Sequence, residues 1–197
     1  MIFKKLAFMG SSTLLRIINS AVLFIIIARI LGVNEFGTLV YYQSVSLIFI
    51  LLVEFGFTNQ LLKSISQNKK DVVNLISEAF MAKLLLSALF LIFNLLFCLV
   101  NNYNFENSFI FLGLSISLLF TSYGDFFNIH HRALDNYGTE TTIVLIATIV
   151  ILTSTIYTLL NYESLFYLTI ALFISRLFYC LISYFYFVHG SGNLVFD

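Results

Sequence analysis

The chain has 197 residues, of which 60% are hydrophobic, 17% aromatic and only 10% charged, and its mean hydropathy is +0.97. Soluble domains carry about 25% charged residues, so this composition excludes an ordinary water-soluble globule. The formal net charge of zero argues against the basic stripe of a nucleic-acid-binding protein, and no nucleic-acid partner is expected.

Six apolar runs follow one another, from Gly10 to Leu31, Thr38 to Phe57, Ala79 to Val100, Phe109 to Asn128, Thr142 to Leu160 and Leu165 to Val188. At 1.5 Å per residue each is long enough to cross a hydrocarbon core of about 30 Å. The runs are continuous rather than alternating, and backbone groups in lipid are satisfied only in helices or closed barrels, so the expected fold is all-α, a six-transmembrane-helix bundle. Residues 1–188 form one transmembrane lobe in this reading. Residues 189–197 form a cytoplasmic tail or the start of a linker. The first run is full span length and lacks a small-residue cleavage site, so no cleavable signal peptide is expected. Between the second and third runs, the stretch from Thr58 to Glu78 reads as a surface helix or a helical extension.

Basic residues set the orientation. Lys4 and Lys5 precede the first run, Lys63, Lys69 and Lys70 follow the second, and Arg132 follows the fourth. The alternate connections, 33–37, 101–108 and 161–164, hold no Lys or Arg. The positive-inside rule then places both termini in the cytoplasm, with Arg29 as a dissenter that can snorkel.

Polar residues inside the runs carry the functional signal. Arg176 stands in the middle of the last run, where a guanidinium costs at least about 2.5–3.5 kcal/mol unless it faces protein, water or a counter-charge. Thr169, Arg176 and Ser183 recur every seven residues and share one helical face. Thr141, Thr148 and Thr155 make a similar stripe, and Ser12, Arg16 and Asn19 share a face near the start of the first run. The second run offers Gln43, Ser44, Ser46 and Glu54, and the fourth Ser115, Ser122 and Asp125. The hydroxyl stripes also suit close helix packing, since small residues let backbones approach. Arg16 and Glu54 fall toward the same end of neighbouring antiparallel helices, so a structural ion pair between them stands beside a functional reading. Asp125 and Arg132 lie where they would fix a helix end, and Lys83 is placed to snorkel.

Signatures of catalysis are scarce. His130 and His131 are adjacent, point about 100° apart if helical, and have no further ligand cluster around them, so they read as interfacial loop residues and no metal is expected. Cys98 and Cys180 sit in apolar runs as small buried hydrophobes. There is no phosphate loop, nucleophile elbow or zinc-helix motif, so neither an enzyme nor a cofactor is expected.

Three segments carry a family resemblance. Arg29-Ile-Leu-Gly-Val-Asn-Glu-Phe-Gly37 resembles the "ARxLGxxxFG" junction of bacterial polysaccharide-unit flippases, members of the multidrug/oligosaccharidyl-lipid/polysaccharide exporter superfamily. Glu54-Phe-Gly-Phe-Thr-Asn-Gln-Leu61 is similar to that family's acidic-x-Gly end of the second helix. Arg132-Ala-Leu-Asp-Asn-Tyr-Gly138 resembles the segment before its fifth helix. The resemblance implies a transporter of the bacterial inner membrane that moves a lipid-linked oligosaccharide diphosphate, on undecaprenyl diphosphate, between leaflets by alternating access, for surface polysaccharides such as O-antigen or capsule. Under it, Arg16, Asn19 and Arg176 are assigned to a cation-lined substrate wall, and Glu54 and Asp125 either carry a coupling proton or cation or neutralise the arginines. Gly32, Gly37 and Gly56 look structural. Members of the family have about twelve to fourteen spans in two lobes, so the implied partners are membrane lipids, the lipid-linked oligosaccharide, a second lobe or a homodimer partner, and polysaccharide polymerase machinery. The sequence thus reads as a truncated or half-length chain. The alternatives are a multidrug or cation exporter lobe, which would favour acidic residues deep in the first helix, and a non-transporting membrane remnant.

Overall fold

The computed structural model describes residues 2–54, 56–67, 72–134 and 136–191. Among them the chain is helical apart from short connections, with no strand. The elements are α1 (Ile2–Glu54), α2 (Phe57–Gln67), α3 (Val72–Val100), α4 (Phe105–Ala133), α5 (Tyr137–Tyr162) and α6 (Leu165–Ser191). Five of these helices are long and apolar enough to cross a membrane, the candidate segments being Arg16–Glu54, Asn74–Val100, Phe105–Ala133, Tyr137–Tyr162 and Leu165–His189. The fold is that of a multi-pass helical membrane protein.

α1 accounts for the difference between five helices and the six runs of the sequence. Its 53 residues contain a single non-helical position, Gly32, at φ 77° and ψ 176°. That positive φ is open to glycine and strained for any side chain. The contacts on either side show that the chain turns back there. In the first arm Arg16 meets Asp125, near the end of α4. In the second arm Tyr42 meets Phe111, Ser46 meets Ser115, and Ile50 and Val53 pack with Leu119. The first arm thus starts beside the end of α4, while the second advances along α4 from its beginning. Phe24 and Phe36, on opposite sides of Gly32, touch edge to face at 5.8 Å.

Local chemistry stops the other helices. Gly56, at φ 76°, separates α1 from α2 in the left-handed conformation that commonly ends a helix. Glu163 takes the left-handed position after α5, and its N–H bonds the Leu159 carbonyl. The first N–H of α6, that of Leu165, donates to Glu35 Oε2 at 3.0 Å, so a carboxylate from the α1 turn caps α6 and complements its dipole.

α4 is the spine of the bundle. One apolar cluster, near the Gly32 end, joins Leu23, Leu39, Tyr42, Phe111, Leu114 and Leu168. A second, at the α2 end, joins Leu61, Ile65, Ile76, Phe127, Ile129 and Phe187. The surface helix expected between the second and third runs is therefore α2, which buries Leu61 and Ile65 against the bundle while Lys63 stays exposed. Lys69 and Lys70 lie outside the described residues, as does the tail beyond Ser191. α4 and α6 approach closely at two glycines. A Cβ on Gly113 would lie 2.7 Å from Thr169 Cγ2, and one on Gly124 would lie 2.5 Å from the Tyr179 ring. Small residues at these points let the two backbones converge and bring α6 side chains onto α4.

Candidate functional site

The convergence of α4 and α6 decides where the α6 polar stripe points. Thr169 is buried beside Gly113, Arg176 Nη1 donates to Ser117 Oγ at 3.0 Å, and Ser183 Oγ accepts from Asn128 Nδ2 at 3.3 Å. All three members of the stripe therefore face α4. Ser117 lies about 18 Å along α4 from its start and about 24 Å from its end, which puts Arg176 near mid-depth of the helix bundle.

One turn further along α6, Tyr179 organises a second polar group. Its hydroxyl donates to Asp125 Oδ1 at 2.6 Å and accepts from Arg16 Nη2 and Asn128 Nδ2, both at 2.9 Å. Arg16 Nη1 completes the triangle with Asp125 Oδ1 at 2.7 Å. The Arg16 guanidinium also lies 5.8 Å from the Tyr179 ring centroid, where the ring face attracts a cation. Three elements meet here: the first arm of α1, α4 and α6.

A cavity of about 320 Å³ opens beside this group, lined by Arg16, Asn19, Thr148, Arg176 and Tyr179 among others. The structure thus brings Arg16, Asn19 and Arg176 to one wall from two helices far apart in sequence. α5 contributes Thr148 from its threonine stripe, whereas Thr155 is buried away from the cavity lining. Among the described residues the buried Asn19 Oδ1 atom has no hydrogen-bond partner. Ser12, which shares the sequence stripe, has a side chain outside the described residues. The two arginines differ in their surroundings. Arg16 is paired with a carboxylate, and the side chains of that pair remain 33% and 36% exposed. Arg176 has a hydroxyl partner, and among the described residues no carboxylate is paired with it. A guanidinium presents a planar fork of N–H donors suited to bidentate anions, and in a site poor in water such contacts are strong.

Several expectations are corrected. Arg16 pairs with Asp125, not Glu54, which is exposed at the end of the second arm and within electrostatic reach of Lys83. Asp125 therefore ties three helices together rather than merely ending one. Lys83 does not snorkel. It is 3% exposed, donates to Ser122 Oγ at 2.7 Å and sits 5.5 Å from the ring centroids of both Tyr123 and Phe126. His130 and His131 are not loop residues. They lie buried in the last turns of α4, their rings 5.3 Å apart and His130 against Phe187. Arg132 joins the buried Glu140 of α5, with contacts of 2.6 and 2.8 Å.

Sequence reasoning passed over some of the polar framework. Tyr179 and Asn128 hold the ion pair in place, and Asn94 forms a buried cluster in which Ser115 Oγ lies 2.6 Å from Ser46 Oγ and 2.9 Å from Asn94 Oδ1. Asn94 and Asn128 were visible as amides inside apolar runs. Tyr179 carried no such signal beyond lying three residues after Arg176.

Comparisons with known proteins agree with the junction motifs. No curated protein and no solved structure shows a significant match to the chain. A family described as polysaccharide biosynthesis protein matches residues 2–197, nearly the whole sequence. The chain belongs to this family, the polysaccharide-unit flippase family that its three segments resemble.

Proposed function

We propose that this chain forms a membrane lobe of a flippase that carries a lipid-linked oligosaccharide diphosphate from the cytoplasmic to the outer leaflet of a bacterial inner membrane. In this reading the two arms of α1 cross separately, giving six crossings with both termini cytoplasmic. The observation that carries the proposal is the shared cavity wall of Arg16, Asn19 and Arg176 in a member of this family. Arg176, with no carboxylate paired to it among the described residues, is the primary phosphate ligand. Arg16 and Asn19 complete the wall, and Asp125 balances Arg16 when the cavity holds no substrate. Glu54, exposed and apart from the cavity, takes no part in substrate contact.

The exposure of Arg16 and Asp125 also suits a cavity closed by a further body, either a second lobe or a second copy. Rocking of two such bodies about the diphosphate would give alternating access. The test is genetic complementation in a host that depends on this protein for its surface polysaccharide. Arg176→Ala, present in the membrane at wild-type level, is expected to abolish surface polysaccharide, and Arg176→Lys to restore little of it, because an ammonium cannot reproduce bidentate pairing. Normal polysaccharide in the Ala variant refutes the assignment. A multidrug exporter lobe is less well supported, since the polar wall of the first arm is a guanidinium and an amide.

A further inference from the structure

The side of α4 and α6 turned away from the polar cavity carries a second recess. It has a volume of about 620 Å³ and is lined by Phe105, Leu112, Ile116, Ile170 and Phe173 among others. Leu112 and Thr121 are nine residues apart on α4, as Ile170 and Tyr179 are on α6. Nine residues make two and a half helical turns, so the members of each pair point to opposite sides. Thr121 and Tyr179 line the cavity, and the recess and the cavity therefore lie back to back. Between them α4 and α6 close on each other at Gly113 and Gly124. A lipid whose headgroup occupies the cavity thus has its tail on the other side of this seam.

Dimensions and chemistry together name the occupant. On α4 the recess runs from Phe105 to Ile116, about 16 Å at 1.5 Å per residue, against about 15 Å for half of a hydrocarbon core. It stops at an aromatic pair. Phe173 lines it, and that ring meets Phe120 edge to face at 5.3 Å. Beyond the pair, toward the α2 end, lies a separate recess lined by Phe120, Tyr123 and Tyr184. Phe109, in the wall near the Gly32 end, stacks on Phe166 at 4.8 Å, so ring contacts fix the walls at both ends. The two hydroxyls in the lining are spent on backbone carbonyls, Ser108 donating to Tyr103 and Thr169 to Leu165. A trough one leaflet long, with its hydroxyl donors already used, suits a hydrocarbon chain and offers nothing to a headgroup. A membrane-crossing helix needs one uninterrupted track through both leaflets, and the Phe120–Phe173 pair interrupts this one.

We propose that the recess between α4 and α6 is a binding site for an acyl chain of a membrane phospholipid, seated from the leaflet at the Gly32 end. Its inner wall adjoins the polar seam: Ile116 precedes Ser117, and Phe173 lies one turn before Arg176. A bound chain therefore braces the seam that holds Arg176 from the side opposite the cavity. The site follows from the membrane-crossing fold and does not rest on the diphosphate reading.

The chain contains no tryptophan, so a single introduced one reports on its own surroundings. Two reporters are compared in the full chain purified in detergent: Phe173→Trp, in the recess, and Ile92→Trp, on an exposed position of α3. Each lies eight residues from the Gly32 end of its helix, about 12 Å, so the two sample the same depth. The probe is phosphatidylcholine with brominated acyl chains, which quenches tryptophan on contact. Phe173→Trp is expected to show saturable quenching, half complete at a several-fold lower lipid concentration than for Ile92→Trp. Matching, non-saturating curves at both positions mean solvating lipid only and overturn the proposal. Quenching of Ile92→Trp without quenching of Phe173→Trp means a face covered by protein, and overturns it too. Relief of the Phe173→Trp quenching by equimolar undecaprenyl phosphate would give the recess to an isoprenoid chain and overturn the phospholipid assignment. Native mass spectrometry of the wild type needs no substitution. A phospholipid should stay bound through detergent stripping, and a bare chain contradicts the site.

Discussion

A lysine in the middle of an apolar run has two places to put its charge: the membrane interface, reached by its own long stem, or a partner inside the protein. Lys83 takes the second, and the sequence could not show it, because the partner Ser122 and the two flanking rings all come from α4. The same limit explains the Arg16 partner. Depth along the chain put Arg16 level with both Glu54 and Asp125, and only packing of the first arm against α4 and α6 chose Asp125. Arg176, by contrast, was legible, since no apolar helix keeps a central guanidinium without cause. At Lys83 the consequence is measurable. Ser122→Ala strands the buried ammonium without its hydrogen-bond acceptor and should lower stability by about 1–3 kcal/mol. Lys83→Met fills the same space with an apolar side chain and should be close to neutral. Thermal unfolding of the two variants in one detergent checks the order, and a larger loss in Lys83→Met contradicts it.

At the scale of the elements, the six apolar runs all fall in helices, the first two of them in the kinked α1, and the helix ends differ from the ends of the runs. α4 continues through His130 and His131 to Ala133, both histidines being buried and His130 packing on Phe187 at the α2 end of the core. That burial depends on tertiary contacts that no local pattern records. Gly32 looked structural in the sequence, and its φ of 77° gives the reason. Gly32→Ala should destabilise the protein by about 1–3 kcal/mol through backbone strain, although nothing lies within 4 Å of the added methyl. Gly124→Ala acts differently. Its methyl would fall 2.5 Å from the Tyr179 ring, so it should displace Tyr179 and loosen the Arg16–Asp125 pair. In titrations of the full chain with inorganic diphosphate, Gly124→Ala should alter affinity more than Gly32→Ala does. Equal affinities in the two variants would detach Tyr179 from the site.

The whole molecule has two distinct ends. One carries the Gly32 turn, the 101–104 connection and the 163–164 connection, and Glu35 joins the first of these to the start of α6 by capping it. The other carries α2, the Arg132–Glu140 pair and the end of α6. Basic residues favour the second end, so the proposed topology puts it in the cytoplasm. Single cysteines at Val33 or Asn102, in a chain whose Cys98 and Cys180 are replaced by Ala, should react with an impermeant thiol reagent from outside intact cells. A cysteine at Lys63 should react only after the membrane is opened. The reverse pattern would invert the bundle.

The central claim is that Arg176 holds the diphosphate of a lipid-linked oligosaccharide as it crosses. The most direct test is translocation of that lipid in proteoliposomes containing the purified protein, read as the rate at which its sugar becomes accessible in the opposite leaflet. Wild type should translocate it, and Arg176→Ala should fall by about tenfold or more, corresponding to loss of about 1.4 kcal/mol or more of stabilisation along the path. An Arg176→Ala protein that moves the lipid at the wild-type rate would contradict the account.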